Sequence, residues 1–271
     1  MLLLIGAVPV EDLPLIIGPV TFTEKGITVD GHELAINRGN EAMMTSACIT
    51  CREYGADAPI GMVAGDIGKR LGSEAIYKHL AEHLPDMGAT VVTQHYMMPD
   101  LKRNKKVLAT VDTMKEKPIM IADAGSMYVA KAGGDAHYYD VFTPGFIFNM
   151  EEDVPELIRR AYESGNATKT MFVKGAIDYV CQDGEIVDTI REPSIETMEP
   201  IGGTGDLITG MISGLIYAGI EPVQACRIAG RANRAAGELA QPTPATQVQD
   251  ILRCLPEALD KVQKGNKMAL W

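Results

Sequence analysis

The stretch PIGGTGDLITGMISGL, Pro200 to Leu215, sets three glycines and an aspartate directly ahead of an apolar run. Gly202, Gly203 and Gly205 tolerate positive φ and leave no Cβ in the path of a ligand. The first N–H groups of the helix that follows lack intrahelical partners and point outward with the positive end of its dipole. An anion, phosphate above all, suits that position. Asp206 falls in the first helical turn beside it. There a carboxylate either acts on a neighbouring hydroxyl or merely complements the dipole, for ~0.3–1 kcal/mol.

The helix behind this loop is expected to be buried, because Leu207, Met211 and Leu215 form one i, i+4 ridge and Ile208, Ile212 and Ile216 another. Gly210 and Gly214 lie four apart, and the helix after Pro222 carries Ala225, Ala229, Ala232 and Ala236. These two helices are therefore expected to approach closely, which offsets the cost of mid-helix glycine, about 1 kcal/mol each. Such a helix is a stiff mount for a reactive group.

Further out, strand and helix patterns alternate. ITVDGHELAI (27–36) reads as a hairpin around Asp30-Gly31. Residues 40–54 read as a helix closed by Gly55. A strand near 59–65, a helix over 72–84, a strand at 89–94 and a helix over 101–116 follow. PIMIADAG (118–125) is a short run ending in Asp and Gly, and YYDVFTP (138–144) is another strand. A helix is expected over 151–163, two or three strands over 168–190 joined at Asp183-Gly184, and helices over 204–218, 222–240 and 246–262. Such alternation favours parallel strands with helices on both faces, and ligands then bind at the carboxyl ends of the strands.

Composition narrows the function. The 271 residues, 46% hydrophobic and 23% charged, can bury a full core, and one domain over 1–271 is expected. The formal charge of −11 argues against a nucleic-acid surface. Glu11 and Asp12 interrupt the apolar N-terminus and no run is long enough to span a membrane, so no membrane partner is expected. Five scattered cysteines suit a reducing, cytoplasmic compartment; Cys48-Ile-Thr-Cys51 reads as packed helix, not as a metal or redox motif.

GGTGDLITGMISGLIYAG (202–219) resembles the C-terminal signature of the ribokinase-like superfamily, and within it the ADP/ATP-dependent NAD(P)H-hydrate dehydratases and the carbohydrate kinases. MFVKGAIDYVCQDGEIV (171–187) and RGNEAMMTSACITCREYGADAPIGMVAGDIGKRLG (38–72) are similar to further segments of the same group. The resemblance implies a three-layer α/β/α fold with a mostly parallel central sheet. It implies an anion hole at Gly203, Thr204 and Gly205, Asp206 as the base, and ATP or ADP near Lys174, Gly175 and Gly202. A small-molecule acceptor would meet Asn37, Gly39 and Asn40, although these asparagines also suit helix caps. Asp123, at the end of the PIMIAD strand, faces substrate or metal.

Departures from the group matter as well. The dehydratases carry T-P-H-P-G-E where this chain reads TPGFIFNMEE (143–152), without the histidine and with no glutamate at that spacing. Asn149 and Glu152 keep an N-x-x-E spacing suited to organising Mg²⁺. A small-molecule kinase is the favoured reading, with the dehydratase and a nucleotide-binding protein without turnover as alternatives. The hairpin at 27–36 is a candidate lid or an interface for a homo-oligomer.

Overall fold

Leu2–Val8 forms strand β1, and its apolar run divides by alternation: Leu2 and Leu4 enter one core, Leu3 and Ile5 the other. A strand covered on both faces reads as continuous hydrophobicity with no polar side. That is why the N-terminal segment, to which the sequence pattern assigns no element, is a central strand of the sheet. The computed structural model of the protein describes residues 1–23, 26–143 and 153–268.

Around β1 the parallel strands are β5 (Ile60–Gly65), β6 (Val91–Gln94), β7 (Ile119–Ala122), β8 (Val141–Phe142) and β9 (Thr170–Val173). Antiparallel strands extend both margins, with β2 (Ile16–Thr23), β3 (Gly26–Val29) and β4 (His32–Leu34) beyond β5, and β10 (Asp178–Gln182) and β11 (Glu185–Ile190) beyond β9. The order is β11-β10-β9-β8-β7-β6-β1-β5-β2-β3-β4. Both Asp-Gly hairpins form as expected: Asp30 and Gly31 take φ of 48° and 79°, and Asp183 and Gly184 take 50° and 95°. Paired positive φ values match the right-handed twist of the strands they join.

Helices cover both faces, giving the three-layer α/β/α arrangement. Helices α1 (Asn40–Glu53), α6 (Thr204–Tyr217), α7 (Pro222–Ala240) and α8 (Val248–Met268) bury one core; α2 (Leu71–His83), α3 (Leu101–Asp112), α4 (Ala124–Gly133) and α5 (Val154–Glu163) bury the other. Three local expectations need correction. Helix α3 stops at Asp112 rather than 116, because the amides of Thr113 and Met114 turn back to Thr110 and Val111 before Pro118. The strand expected over 138–144 is reduced to Val141–Phe142, since residues 136–138 form a 3-10 turn. Helix α4 has no counterpart in the expected elements; glycines at both its ends mask the helical period. Among the described residues no helix is long and apolar enough to cross a membrane. All five cysteines are free, and Cys48 and Cys51 lie within α1.

The glycines of α6 meet a different partner from the one expected. A Cβ on Gly210 would fall 2.0 Å from Ser46 Oγ and 2.1 Å from the Met43 carbonyl, and one on Gly214 would fall 3.0 Å from Thr50 Cβ. The two glycines of α6 therefore set its backbone against α1, while α6 also packs against α7 as expected. The alanines of α7 are buried all the same, and its own glycines face other neighbours: Gly230 meets Phe172 and Ile190, and Gly237 meets Met198. Ser46 Oγ donates to Leu207 O, locking the pair. Gly210→Ala is expected to destabilise the protein by about 1–3 kcal/mol through overpacking. Gly265→Ala in α8, with nothing within 4 Å of the added Cβ, should be neutral or stabilising by up to about 1 kcal/mol. Denaturant unfolding of both variants checks the contrast.

Candidate active site

The chain runs from β1 through the β2–β4 strands and α1 to β5 on one side, then crosses by α2 to β6 on the other, so strand order reverses between β1 and β6. A crevice opens at the carboxyl ends of two strands that part in this way. Here the Ala7 amide donates to Tyr96 O (2.7 Å), and Asn40 Nδ2 donates to Ala7 O and, at 3.2 Å, to Tyr96 O. Asn40 thus ties both strand ends to the start of α1. Gly6 has no side chain because one would collide with the Asn40 carboxamide.

Helix α6 points its N-terminus at the same place. Gly203 is its cap residue with φ of 101°, in the left-handed region, and the first i→i−4 bond runs from Leu207 N to Gly203 O. The amides of Thr204, Gly205 and Asp206 precede that bond, so the helix offers them to the crevice. Side chains flank the loop: a Cβ on Gly202 would fall 3.7 Å from an Arg38 guanidinium nitrogen, and one on Gly205 3.9 Å from Lys174 Cδ. Two cationic side chains thus border the glycine loop.

Asp206 is buried at 7% exposure, and its Oδ2 accepts from the Gly39 amide at 2.6 Å. Its Oδ1 lies 3.1 Å from His95 Nε2, which is also 3.2 Å from Asp123 Oδ2. Thr209 donates to the same Asp123 oxygen at 2.6 Å, and the Thr143 hydroxyl lies 2.9 Å from that of Thr209. Burial works to lower the basicity of His95, but the Asp123 and Asp206 carboxylates set against its Nε2, and their charges, outweigh it and push the ring up to about 9. Glu41, in the first turn of α1, is almost fully buried. Burial pushes its carboxyl up to about 7, opposed by its own backbone N–H and by His95 and reinforced by the charge of Asp206.

A second recess lies beside the loop and is lined by Lys174, Gly175, Ser194, Met198, Asn233 and Arg234. Burial holds the Lys174 ammonium below its usual range. Arg234 pairs with Asp178 at 2.7 Å and donates to the carbonyls of Gly175, Ala176 and Arg191, which stiffens the recess. Asn233 is buried, and its Oδ1 has no partner among the described residues.

Of the residues singled out in the sequence, the fold gathers Gly39, Asn40, Asp123, Lys174, Gly202, Gly203, Thr204, Gly205 and Asp206 around one strand edge. Asn37 is exposed in the loop before α1, and Gly175 begins the turn after β9. Asn149 and Glu152 lie outside the described residues. His95 and Glu41 were not picked out. The available signal was a lone histidine immediately after VVTQ, at the same sheet edge as Asp123. His95, Asp123 and Asp206 each offer one ligand atom within 4.8 Å of the others. Mg²⁺ takes hard oxygen ligands and keeps several waters. An imidazole wedged between two carboxylates suits a shared proton instead, so this trio does not fit Mg²⁺.

No family model matches the chain. Its sequence is 33% identical over 243 residues to the uncharacterized protein MJ1337 of Methanocaldococcus jannaschii, spanning 82% of this chain and 100% of that protein. It is 27% identical over 169 residues to the bifunctional NAD(P)H-hydrate repair enzyme Nnr of Hyperthermus butylicus, spanning 57% of this chain and 31% of that longer protein. Its fold is similar to that of Bacillus subtilis pyridoxal kinase, solved as an ADP complex, with a TM-score of 0.58 at 15% identity, covering 91% of this chain and 94% of that one. Likeness also extends to the ADP/ATP-dependent NAD(P)H-hydrate dehydratase of Bacillus subtilis, with a TM-score of 0.56 at 18% identity, covering 81% and 87%.

Glu41 titrates higher folded than unfolded, so the native state holds the extra proton. Its contribution to stability is full below the ordinary carboxylate range and is lost as pH rises through about 7. Glu41→Gln should therefore raise the thermal midpoint relative to the parent at pH 8 and give little or no gain at pH 5. Midpoints measured at the two pH values check the sign.

Proposed function

We propose that this chain, whose fold is similar to those of ribokinase-like enzymes, is an enzyme that transfers a phosphoryl group from ATP or ADP to a hydroxyl of a small molecule. The observation that carries the reading is Asp206. Its carboxylate stands in the first turn of α6, beside backbone amides that have no helical partner, and Arg38 and Lys174 border the loop. A hydroxyl in the crevice gives its proton to Asp206. Amides of Gly203, Thr204 and Gly205 then hold the charge that develops on the transferred group. Catalysis of this kind is positioning plus electrostatics.

The recess beside Lys174 suits the nucleotide. Its lysine reaches toward the phosphates, and the unpartnered Asn233 Oδ1 can accept from an amino group on a base. Mg²⁺ would enter with the phosphates and neutralise them, with Asn149 and Glu152 as its candidate protein partners. Gly39 and Asp123, and beyond them Asn37, border the acceptor side.

A second reading, removal of water from hydrated NAD(P)H, is favoured by the sequence match to the repair enzyme. The missing histidine in 143–152, and the lack of a glutamate at the dehydratases' spacing there, weigh against it. Both readings employ the same loop and the same aspartate, and product analysis separates them: a phosphorylated acceptor for the kinase, NADH recovered from its hydrate for the dehydratase.

Asp206→Asn keeps the side chain's size and removes the proton acceptor. Once turnover is found in a screen of sugars, vitamin precursors and hydrated NADH, this variant should lose ~10²–10⁴-fold in rate with nucleotide affinity little changed. A near-parental rate would defeat the reading. Lys174→Ala should instead weaken nucleotide binding, read as a smaller thermal shift with millimolar ATP or ADP.

A further inference from the structure

We propose that His95 is a positioning residue for Asp206: held between two buried carboxylates, its imidazolium fixes the orientation of the base and supplies the positive charge that lets Asp123 and Asp206 sit side by side. The catalytic half of this proposal rests on the reading of Asp206 as the base. The structural half does not.

Geometry carries the inference. His95 is completely buried, directly after β6, and its Nε2 lies within 3.2 Å of Asp123 Oδ2 and 3.1 Å of Asp206 Oδ1. Two carboxylates that share one site repel, and burial raises that cost. A cation between them removes it. The backbone of His95 is anchored as well, since its amide donates to Ile5 O at 3.0 Å and its carbonyl accepts from Ser126 Oγ at 2.6 Å. Tyr96 packs edge-on to the ring, with centroids 4.3 Å apart. The ring therefore has a single seat.

The consequence for Asp206 is that both oxygens are engaged, Oδ1 by an ionic contact with His95, neither of whose ring nitrogens has an aligned hydrogen-bond partner among the described residues, and Oδ2 by a hydrogen bond from the Gly39 amide. Each carboxylate oxygen has a second lone pair, so the proton-accepting position remains open while rotation of the group is blocked. The titratable groups that face His95 are Asp206 from α6, Asp123 from the end of β7, Glu41 from α1 and Tyr96 from its own segment. The two aspartates dominate its state, and they favour the charged ring up to about pH 9.

Imidazole ¹H–¹⁵N spectra of the full chain test the proposal without any substrate. The expected result is a charged ring at His95, protonated on both nitrogens, from pH 6 to 8. Its titration should move down by at least about one unit in Asp206→Asn, a loss of roughly 1.4 kcal/mol of interaction. In turnover, His95→Gln should lower kcat by up to about 10²-fold, with a much smaller change in nucleotide KM and a loss of the alkaline limb near pH 9. A neutral ring at pH 7.5 would overturn the proposal, and so would resonances that change when a chelator strips a bound metal ion. If His95→Gln fails to fold, the spectra of the parent and of Asp206→Asn still decide. A charged ring together with a fully active Asp206→Asn would leave the ion cluster standing and remove the base. A neutral ring with an inactive Asp206→Asn would do the reverse.

Discussion

Helix α6 reaches the crevice only because Gly210 and Gly214 let its backbone lie directly on α1. With any side chain at Gly210 the helices would have to separate, and the Asp206 carboxylate would leave the Gly39 amide, which it contacts at 2.6 Å across 167 residues of chain. The contact joins the two helix starts that frame the site, one after β4 and one after the glycine loop. Everything polar in the crevice is positioned relative to that pair: Asn40 clamps the strand ends, Asp206 spans from α6 to α1, and His95 spans from Asp206 to Asp123. Close packing far from the chemistry thus sets the geometry of the chemistry.

The electrostatics follow from the same crowding. Three carboxyl groups, Glu41, Asp123 and Asp206, are nearly excluded from solvent within one small region. A chain with a net charge of −11 has no general surplus of cations to offset them. The balance is local. His95 sits between two of them, Arg38 and Lys174 border the glycine loop, and the Glu41 carboxyl is pushed up to about 7. The N-terminal amides of α6 add positive potential directed at the crevice. Negative side chains on one side and backbone donors with two cations on the other make a site polarised between a proton-accepting half and an anion-holding half.

Much of this was readable in the residues themselves. The glycine loop with its aspartate, the two Asp-Gly hairpins and the alternation of helices and strands depend on local spacing, and they appear in the structure where the spacing puts them. What was not readable is what depends on pairing. Strand β1 carries no period because both faces are covered, so its apolar letters fit several elements equally well. The partner of the α6 glycines was misjudged because small residues on α7 look as suitable as those on α1, whereas chain crossings decide which helix is adjacent. His95 is one histidine after a short strand, and only the arrival of Asp123 and Asp206 from elements 28 and 111 residues further along gives it a role. Asn40 matched a family position, and its Nδ2 also ties two strand-end carbonyls together, a use that no spacing rule discloses.

Backbone amide resonances give the most direct measurement of whether the α6 start is the anion-holding half of an active site. On addition of ATP or ADP with Mg²⁺, the amides of Gly203, Thr204 and Gly205 should show the largest shifts, followed by Lys174 and Gly175, while β3, β4 and β11 at the sheet margins stay unchanged. Shifts confined to other parts of the molecule, with the 203–205 amides silent at saturating nucleotide, would contradict it.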